Sequence, residues 1–444
     1  MQSRGLRKQV SELDLSIANA SYLITSNSTG EIHQDVSIGI KDGAIVEISN
    51  SPLTATHTYD ARGKLVAPGL INAHTHLAMT LFRGWAEGVD LQGFLELVWA
   101  AEGAIMDAPT AELGTKLGAY EALLSGTTTA LDMYLFPDAA HRGAVAAGLR
   151  HLGGPIFFDF PGLDGLEWEE RLALARRWPA ILAEIGGPEV PGYLMPHATY
   201  TCSPEHLTEI ASIATELDYY IHIHASENLR ENQDVATQYH RTPTEILADS
   251  KIIDRNVVLG HGVHLSDSDL KLLSGRGAVA HCPGSNLKLA SGIADIRKYQ
   301  GTGVGVALGT DGCSSSNDLD MWVVMRLAAY LIAQTRSPRE VSAEQVFRMA
   351  TIDGARALGI DHLVGSVEVG KRADLIALEL DAPHLIPMYD PFAQLVFAAG
   401  RSDVSDVWVD GEQVIAARKS TRLDYPELRS AVLAKTEGLK ERLK

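Results

Sequence analysis

The stretch PGLINAHTHL, residues 68–77, ends a short apolar run in two histidines, His74 and His76. Successive side chains of an extended segment point to opposite faces, so histidines at i and i+2 lie on the same side and can hold one ion together. The chain has 16 histidines, and roughly one such pair is then expected by chance. The pair is therefore specific evidence for a metal site only in combination with the segments that follow it.

Three later segments end in a similar way, each with metal-binding or acid–base side chains after a short aliphatic run. His224 and Glu227 follow the run in YYIHIHASE, His261 lies in VVLGHGVHL, and Asp311 lies in VGVALGTDG. The catalytic residues of a barrel enzyme stand at the C-terminal ends of its parallel strands. The ordered set therefore predicts one site assembled from successive strands of a barrel.

The rest of the chain supports an α/β fold, a TIM-like (β/α)8 barrel with a small β-sandwich built from both chain ends. Short alternating segments fill the first sixty or so residues and return in GKRADLIALEL and SDVWVDGEQVI, which indicates antiparallel strands with tight turns. We predict the sandwich over residues 1–65 and 368–430, the barrel over 66–367, and a C-terminal amphipathic helix over 425–444. Barrel strands are expected near residues 66–73, 127–132, 155–159, 191–196, 219–224, 257–261, 277–281 and 304–309.

Two helices are marked by their ends. The stretch TAELGTKLGAYEALLSG predicts a helix that stops at Gly126, and SAEQVFRMATIDGARALG predicts one that begins after an N-cap at Ser342.

Composition and charge narrow the class of protein. Apolar residues make up 45% and charged residues 21%, as in a globular enzyme with a large core. The net charge of −18 argues against binding to nucleic acid or to an anionic membrane. Three cysteines without C-x-x-C spacing favour a reducing compartment. The basic N-terminus has no apolar run behind it and no stretch approaches a membrane span, so we expect a cytoplasmic protein.

The residue types point to a metal hydrolase. Imidazoles from His74, His76 and His224 with a carboxylate from Asp311 would make a site of three nitrogens and one oxygen that leaves room for water. One Zn²⁺ is the preferred ion, with Fe²⁺ as the alternative. Such an ion lowers the pKa of bound water towards neutrality, which would make hydroxide available at pH 7. His222 shares the alternation of His224 and competes with it as a ligand.

The motifs resemble those of the amidohydrolase superfamily, and within it the branch that contains S-adenosylhomocysteine, 5′-methylthioadenosine and adenosine deaminases. The resemblance runs over most of the chain. It is carried by PGLINAHTHLAMTLFRG, SGTTTALDMY, PHATYTCSPEHL, IHIHASE, GHGVHL, HCPGSNLKLASGIA and LGTDGCSSSNDLDMW.

The resemblance implies roles for the site residues. Its H-x-x-E spacing favours His224 over His222 as the ligand. Glu227 would protonate the ring nitrogen beside the attacked carbon, Asp311 would move a proton from water to the leaving amine, and His261 would steady the hydroxide and the oxyanion. The implied reaction is hydrolytic deamination of an adenosine-type nucleoside, with release of ammonia and the inosine analogue.

The resemblance also implies substrate contacts. Glu102 matches a glutamate that binds ribose hydroxyls, His197 matches a histidine near the purine, and Ser315 resembles a further polar contact. Among the aromatic residues, Phe82, Trp85 and Trp99 are candidates to stack on the heteroaromatic ring, with core packing as the alternative for each, and Trp85 is taken as the binding residue. Phe160 is expected to meet an apolar 5′ substituent.

Two departures from the branch concern the substrate. Some S-adenosylhomocysteine deaminases bind the amino-acid carboxylate with two arginines, but here residues 153–170 contain none and the first is Arg171. We therefore expect 5′-methylthioadenosine or adenosine to be preferred to S-adenosylhomocysteine. The motif W-P-x-E is here Trp99, Ala100, Ala101 and Glu102, so the backbone that presents Glu102 is expected to differ slightly.

Two questions stay open on the sequence alone. The alternative function is hydrolysis of another amino- or chloro-substituted heteroaromatic, such as a triazine, a guanine-like base or a pterin, for which Glu102 would have no ribose to bind. His281 is equally compatible with a supporting role and with a place on the pocket floor. The partner is a small molecule in either case, and a homo-oligomer is expected only by analogy with the branch.

Overall fold

The structure is a computed structural model that describes residues 12–443. Most of the N-terminal stretch considered above for a secretory signal, residues 1–11, lies outside the described residues. The strands, in chain order, are β1 Leu13–Ala20, β2 Tyr22–Ile24, β3 Ile32–His33, β4 Val36–Lys41, β5 Ala44–Ser49, β6 Ala55–Asp60, β7 Lys64–Pro68, β8 Leu70–His76, β9 Thr127–Asp132, β10 Arg150–Leu152, β11 Ile156–Phe157, β12 Tyr193–Pro196, β13 Tyr220–Ala225, β14 Val257–His261, β15 Gly277–His281, β16 Gly305–Leu308, β17 Asp311–Gly312, β18 Leu375–Glu379, β19 Val404–Val409, β20 Glu412–Ala416 and β21 Lys419–Ser420.

The helices lie mostly between the strands of the middle region. In chain order they are α1 Leu91–Ile105, α2 Ala108–Leu124, α3 Pro137–Ala147, α4 Trp168–Ile185, α5 Pro204–Leu217, α6 Leu229–Tyr239, α7 Pro243–Asp249, α8 Asp267–Leu273, α9 Pro283–Lys288, α10 Ile296–Gly301, α11 Met321–Thr335, α12 Ala343–Met349, α13 Ile352–Ala357, α14 Pro391–Ala393, α15 Tyr425–Thr436 and α16 Leu439–Arg442.

Parallel strands form the centre of the molecule. One sheet has the order β10-β9-β8-β17 and a second runs through β11-β12-β13-β14-β15-β16, with every pairing parallel. The segment 150–157 contributes to both sheets, and so does the segment 305–312. Strands that alternate with helices and pair in parallel define a TIM-barrel-type α/β fold.

The two ends of the chain meet in the remaining sheets. One has the order β5-β4-β1-β6, and the other has the order β21-β20-β19-β18-β7-β2-β3. A buried apolar cluster draws on both sheets and includes Ile17, Ile38, Val66, Leu375 and Trp408. The first predicted barrel strand, 66–73, began too early, because residues 64–68 pair with β18 and β2 instead. Gly69 separates the two strands. A Cβ at this position would lie 2.1 Å from the Thr128 hydroxyl, so a larger residue does not fit.

The third central strand begins earlier than predicted. Residues 150–152 pair with β9, whereas we expected the strand at 155–159. Arg150 and His151 interrupt the apolar pattern of this buried segment, and Arg150 is accommodated by hydrogen bonds of 2.8 and 2.9 Å to Asp374.

The predicted helices are confirmed in type, but two of them are broken. The helix before Gly126 spans Ala108–Leu124, and Gly126 takes a φ of +88°. Ser342 caps α12 as predicted, by accepting from the Gln345 N–H, yet the helix stops at Met349 and α13 begins at Ile352. The C-terminal helix ends at Thr436, and Gly438, with φ +68°, separates it from α16.

Across residues 12–443, none of the helices has the length and apolar character that crossing a bilayer requires. Cys202, Cys282 and Cys313 are all buried and unpaired.

Candidate active site

Histidines from two strands and an aspartate from a third meet at the C-terminal edge of the parallel sheets. His74 and His76 end β8, His224 lies near the end of β13, and Asp311 begins β17. The Nε2 atoms of His76 and His224 are 3.4 Å apart, and Oδ1 of Asp311 lies 3.2 Å from Nε2 of His76. The structure thus brings together all four residues that the sequence predicted as metal ligands.

The opposite ring nitrogen of each histidine is held by a neighbour. Nδ1 of His76 donates to the Met133 carbonyl at 2.6 Å, and Nδ1 of His224 donates to the His197 carbonyl at 2.7 Å. Nδ1 of His74 lies 2.7 Å from Nε2 of His222. Such contacts orient metal-binding imidazoles, and the two backbone carbonyls also fix the tautomers of His76 and His224 because they can only accept.

The cluster fits a divalent metal ion. Potential ligand atoms of His74, His76 and His224 all lie within 4.8 Å of one another, and so do those of His74, His261 and Asp311. Nε2 of His74 is buried and has no hydrogen-bond partner; it lies 3.5 Å from Asp311 Oδ1. A buried lone pair without a donor is costly unless something outside the protein binds it. Three imidazoles and a carboxylate are the donor set that Zn²⁺ accepts.

Two further titratable residues adjoin the cluster. Nε2 of His261 lies 3.8 Å from Oε1 of Glu227 and 3.9 Å from Oδ2 of Asp311. His261 and Asp311 both have left-handed backbones, with φ of +67° and +60°. Residues other than glycine rarely take this conformation, and those that do are concentrated at functional sites. Both residues stand at strand ends, His261 as the last residue of β14 and Asp311 as the first residue of β17.

Burial shapes the acid–base character of Glu227. It raises the pKa of the carboxyl above its ordinary value, an effect that His261 opposes and Asp311 reinforces. The Glu227 N–H donates to the carboxylate of Glu231 at 2.7 Å, and the Thr199 hydroxyl donates to the other oxygen of Glu231 at 3.1 Å. Nothing in the sequence singled out Glu231, which lies in the first turn of α6.

A pocket of about 690 Å³ opens above the cluster. Helix α1 forms one wall, because Leu91, Phe94, Leu95, Val98 and Glu102 share one face at helical spacing. Other apolar lining comes from Met79, Leu135, Ile156, Phe158 and Leu289.

Glu102 is the polar exception on the α1 wall. Its side chain is buried, and its Oε1 accepts a hydrogen bond of 2.5 Å from the Tyr134 hydroxyl. Burial raises the pKa of Glu102 to about 7, although the Tyr134 bond works in the opposite direction. Tyr134 follows β9 by two residues, and the sequence prediction missed it.

His197 lies between the metal-binding cluster and the aromatic part of the pocket. Its ring centroid is 5.0 Å from that of His224 and 5.1 Å from that of Phe158. Burial lowers the pKa of His197 to about 3, so the imidazole is neutral at pH 7. Its Nδ1 is 3.0 Å from the Thr201 hydroxyl, which leaves Nε2 for another partner.

The other predicted substrate contacts are placed differently. The Ser315 hydroxyl donates to Asp311 Oδ2 at 2.6 Å, so it orients the carboxylate. Trp85 is not part of the pocket lining, and its indole N–H donates to the Leu97 carbonyl at 3.2 Å. Phe160 is 44% exposed and packs beside Phe158 at the rim. Trp99, another of the aromatic residues near the predicted barrel mouth, does line the pocket.

The charged residues of the lining are acidic or imidazole. Glu102, Glu227 and Asp311 contribute carboxylates, and no lysine or arginine lines the pocket in the part of the chain that the structure describes. Arg171 lies behind Phe158, where Asp164 accepts from it at 2.7 and 3.0 Å. Arg83 donates to Glu121 and to the Asn317 carbonyl. Arg171 and Arg83 are therefore already paired.

The fold and this site are those of a metal-dependent hydrolase, and the chain belongs to the Amidohydrolase family, whose sequence profile matches residues 65–414. It is 39% identical over 436 residues to a 5-methylthioadenosine/S-adenosylhomocysteine deaminase of Syntrophobacter fumaroxidans, covering 95% of this chain and 97% of the relative. It is 35% identical over 417 residues to a 5'-deoxyadenosine deaminase of Methanosphaera stadtmanae, covering 93% and 94%. A zinc-bound adenosine deaminase structure from Xanthomonas campestris aligns with a TM-score of 0.91 at 32% identity, covering 97% of this chain and 99% of that one.

Proposed function

We propose that this protein is a metal-dependent hydrolytic deaminase of adenosine-type nucleosides. The overall reaction converts the nucleoside and water to the inosine analogue and ammonia. The observation that carries the proposal is the placement of a buried carboxylate, Glu102, and a neutral imidazole, His197, in one pocket that ends at the histidine–aspartate cluster. The names of the relatives point to the same class of substrate.

In this proposal His74, His76, His224 and Asp311 hold one divalent ion. Zn²⁺ is favoured by the nitrogen-rich donor set and by the zinc in the Xanthomonas structure. When bound, such an ion supplies a Lewis acid that makes water a nucleophile at neutral pH.

The protein's own groups move the protons. Glu227, whose pKa is raised by burial, carries a proton to the purine ring nitrogen beside the attacked carbon. Asp311 accepts a proton from the attacking water and passes it to the leaving amine. His261 donates through Nδ1 to Asn286 Oδ1 at 2.8 Å. Although burial opposes it, Glu227 and Asp311 raise the pKa of His261, so its Nε2 can also carry a proton and donate to the developing oxyanion.

The pocket walls select the nucleoside. Glu102 is placed to accept hydrogen bonds from ribose hydroxyls, and His197 to contact the purine through Nε2. The apolar lining from Phe158, Ile156 and Leu289 suits a methylthio or methyl group at the 5′ position. A carboxylate in the same space would be buried without a cation, because Arg171 is bound to Asp164. We therefore propose that 5′-methylthioadenosine is preferred to S-adenosylhomocysteine.

We also infer the architecture behind the site. The parallel strands would close into one eight-stranded barrel from about residue 69 to 367, and the sheets of the two chain ends would form one β-sandwich. The support is that segments 150–157 and 305–312 pair with neighbours on both sides. Amide hydrogen exchange should then protect Leu152 and Ile156 like the strands beside them. Rapid exchange at both would indicate an open seam there.

A substrate panel tests the function. Ammonia release should be measured with zinc-loaded protein on adenosine, 5′-methylthioadenosine and S-adenosylhomocysteine, and on the ribose-free guanine, cytosine, pterins and triazines. The nucleosides should have the higher kcat/KM, with 5′-methylthioadenosine above S-adenosylhomocysteine. A ribose-free compound as the best substrate would overturn the proposal in favour of a base or triazine hydrolase. A preference for S-adenosylhomocysteine would overturn only the assignment of the 5′ site.

A further inference from the structure

The three histidines of the metal-binding cluster differ in what holds their second ring nitrogen. His76 and His224 each donate to a backbone carbonyl, which can only accept and so dictates one tautomer. His74 instead faces another imidazole, that of His222, at 2.7 Å. An imidazole can either donate or accept, so this contact alone does not decide where the proton of His74 lies.

The position of the His74 proton is decided by the contact that the other ring nitrogen of His222 makes. Nδ1 of His222 lies 2.8 Å from the carbonyl oxygen of Val258, which pairs with His222 in the ladder between β13 and β14. Since that oxygen can only accept, the His222 proton must be on Nδ1. His222 is fully buried, and its hydrogen-bond partners are His74 and this carbonyl, so a second proton would create a buried charge without an acidic partner.

The tautomer of His74 follows from the position of the single proton on His222. A neutral His222 with its proton on Nδ1 has a lone pair on Nε2, and that lone pair must accept from His74 Nδ1–H. His74 then has no proton on Nε2, the buried atom that has no hydrogen-bond partner and faces Asp311. We propose that His222 is a positioning residue that fixes the metal-binding tautomer of His74 through the chain Val258 carbonyl, His222, His74. This inference rests on the proposed metal site.

His281 provides a matched control. It is a second buried histidine at the end of a central strand, β15, with 1% of its surface exposed. Both of its ring nitrogens lack a hydrogen-bond partner, so it holds none of the ligands. Replacing it removes the same ring volume from another central strand without touching the proton chain.

The experiment compares His222→Leu, His222→Gln and His281→Leu. Zinc affinity is measured by competition with a chromophoric chelator, and the ring ¹⁵N shifts of the histidines are recorded in the metal-free and zinc-loaded proteins. His222→Leu should weaken zinc binding by about 10–100-fold, the usual effect of removing a group that orients a ligand. His222→Gln keeps an acceptor for His74 and should lose much less, and His281→Leu should bind zinc as the parent does.

The ¹⁵N spectra make the test independent of activity. In the parent protein His74 should carry its proton on Nδ1 before zinc is added, and in His222→Leu it should populate both tautomers. Unchanged zinc affinity in His222→Leu, equal losses in His222→Leu and His281→Leu, or a proton on His74 Nε2 in the parent would overturn the inference. If His222→Leu does not fold, His222→Gln and the parent spectrum still decide. Normal zinc binding without deaminase activity would instead count against the proposed function.

Discussion

The Tyr134 hydroxyl donates a 2.5 Å hydrogen bond to the Glu102 carboxylate within the wall of the substrate pocket. Burial nevertheless raises the pKa of Glu102 to about 7, so the group changes charge near neutral pH. An ionised carboxylate is the stronger acceptor for ribose hydroxyls. With Glu102 as the proposed ribose contact, the pair would link recognition of the nucleoside to pH.

Glu102→Ala should lower kcat/KM for 5′-methylthioadenosine by about 10–100-fold, because a hydrogen bond to a charged group contributes about 1.5–3 kcal/mol. Activity on a ribose-free base should change much less. Initial rates on both kinds of substrate provide the measurement. Equal losses on the two would mean that Glu102 supports the pocket rather than binding the sugar.

The pH profile gives a second test of Glu102. As the pH falls below about 7 the carboxylate gains a proton, so kcat/KM for nucleosides should decline with that pKa. Tyr134→Phe removes a bond that favours the ionised form, so the decline should move to higher pH. In Glu102→Ala this decline in kcat/KM should disappear. If the midpoint of this decline is unchanged in Tyr134→Phe, the decline belongs to a group other than Glu102.

Glu227→Gln should retain zinc and lose turnover by ~10²-fold or more, because an amide cannot transfer the proton. Metal analysis and single-turnover rates separate the two effects. The neighbouring Glu231→Gln, which can still accept from the Glu227 N–H, serves as a control and should have a milder effect. Near-normal turnover in Glu227→Gln would remove this residue from the mechanism.

Gly260→Ala should weaken zinc binding although residue 260 is not a ligand. A Cβ at this position of β14 would lie 3.2 Å from Cδ2 of His224 and 3.5 Å from Nε2 of His74. The His224 ring must then shift by a few tenths of an ångström, and metal sites depend on ligand geometry. Gly275→Ala, just before β15, where a Cβ meets nothing within 4 Å, controls for the loss of a glycine, although its φ of +69° adds some strain. Parent-like zinc affinity in Gly260→Ala would show that the rings are not tightly packed.

The cluster could be predicted from the sequence because its residues follow two local rules. Side chains alternate between the two faces of a strand, and the catalytic residues of a barrel stand at the C-terminal ends of its strands. His74, His76 and Asp311 could be found in this way without knowledge of any rotamer, whereas His224 was separated from His222 only by the H-x-x-E spacing of the family resemblance. The contact between His222 and His74 could not, since it depends on ring orientations across two strands. Arg150 illustrates the same limit, because its ion pair with Asp374 joins residues more than 200 positions apart. Without knowledge of that partner, the arginine breaks the apolar pattern by which a central strand is predicted.

The substrate residues were less predictable than the ligands. Ser315 was expected to contact the substrate, but its hydroxyl is directed at Asp311 in the structure, and whether it also binds the substrate stays a prediction. Trp85 does not line the pocket, and its indole N–H donates to the Leu97 carbonyl. Pocket linings come from loops and helix faces whose tertiary positions a sequence pattern does not encode.

The most direct test of the account is a zinc titration of metal-free protein while ammonia release from 5′-methylthioadenosine is followed. Activity should be absent at the start, rise linearly, and stop rising at one zinc ion per chain, and His76→Ala should show no such rise because it lacks one of the four proposed ligands. Deamination that is independent of zinc, full activity in His76→Ala, or a zinc-saturated protein that releases no ammonia would contradict the central claim.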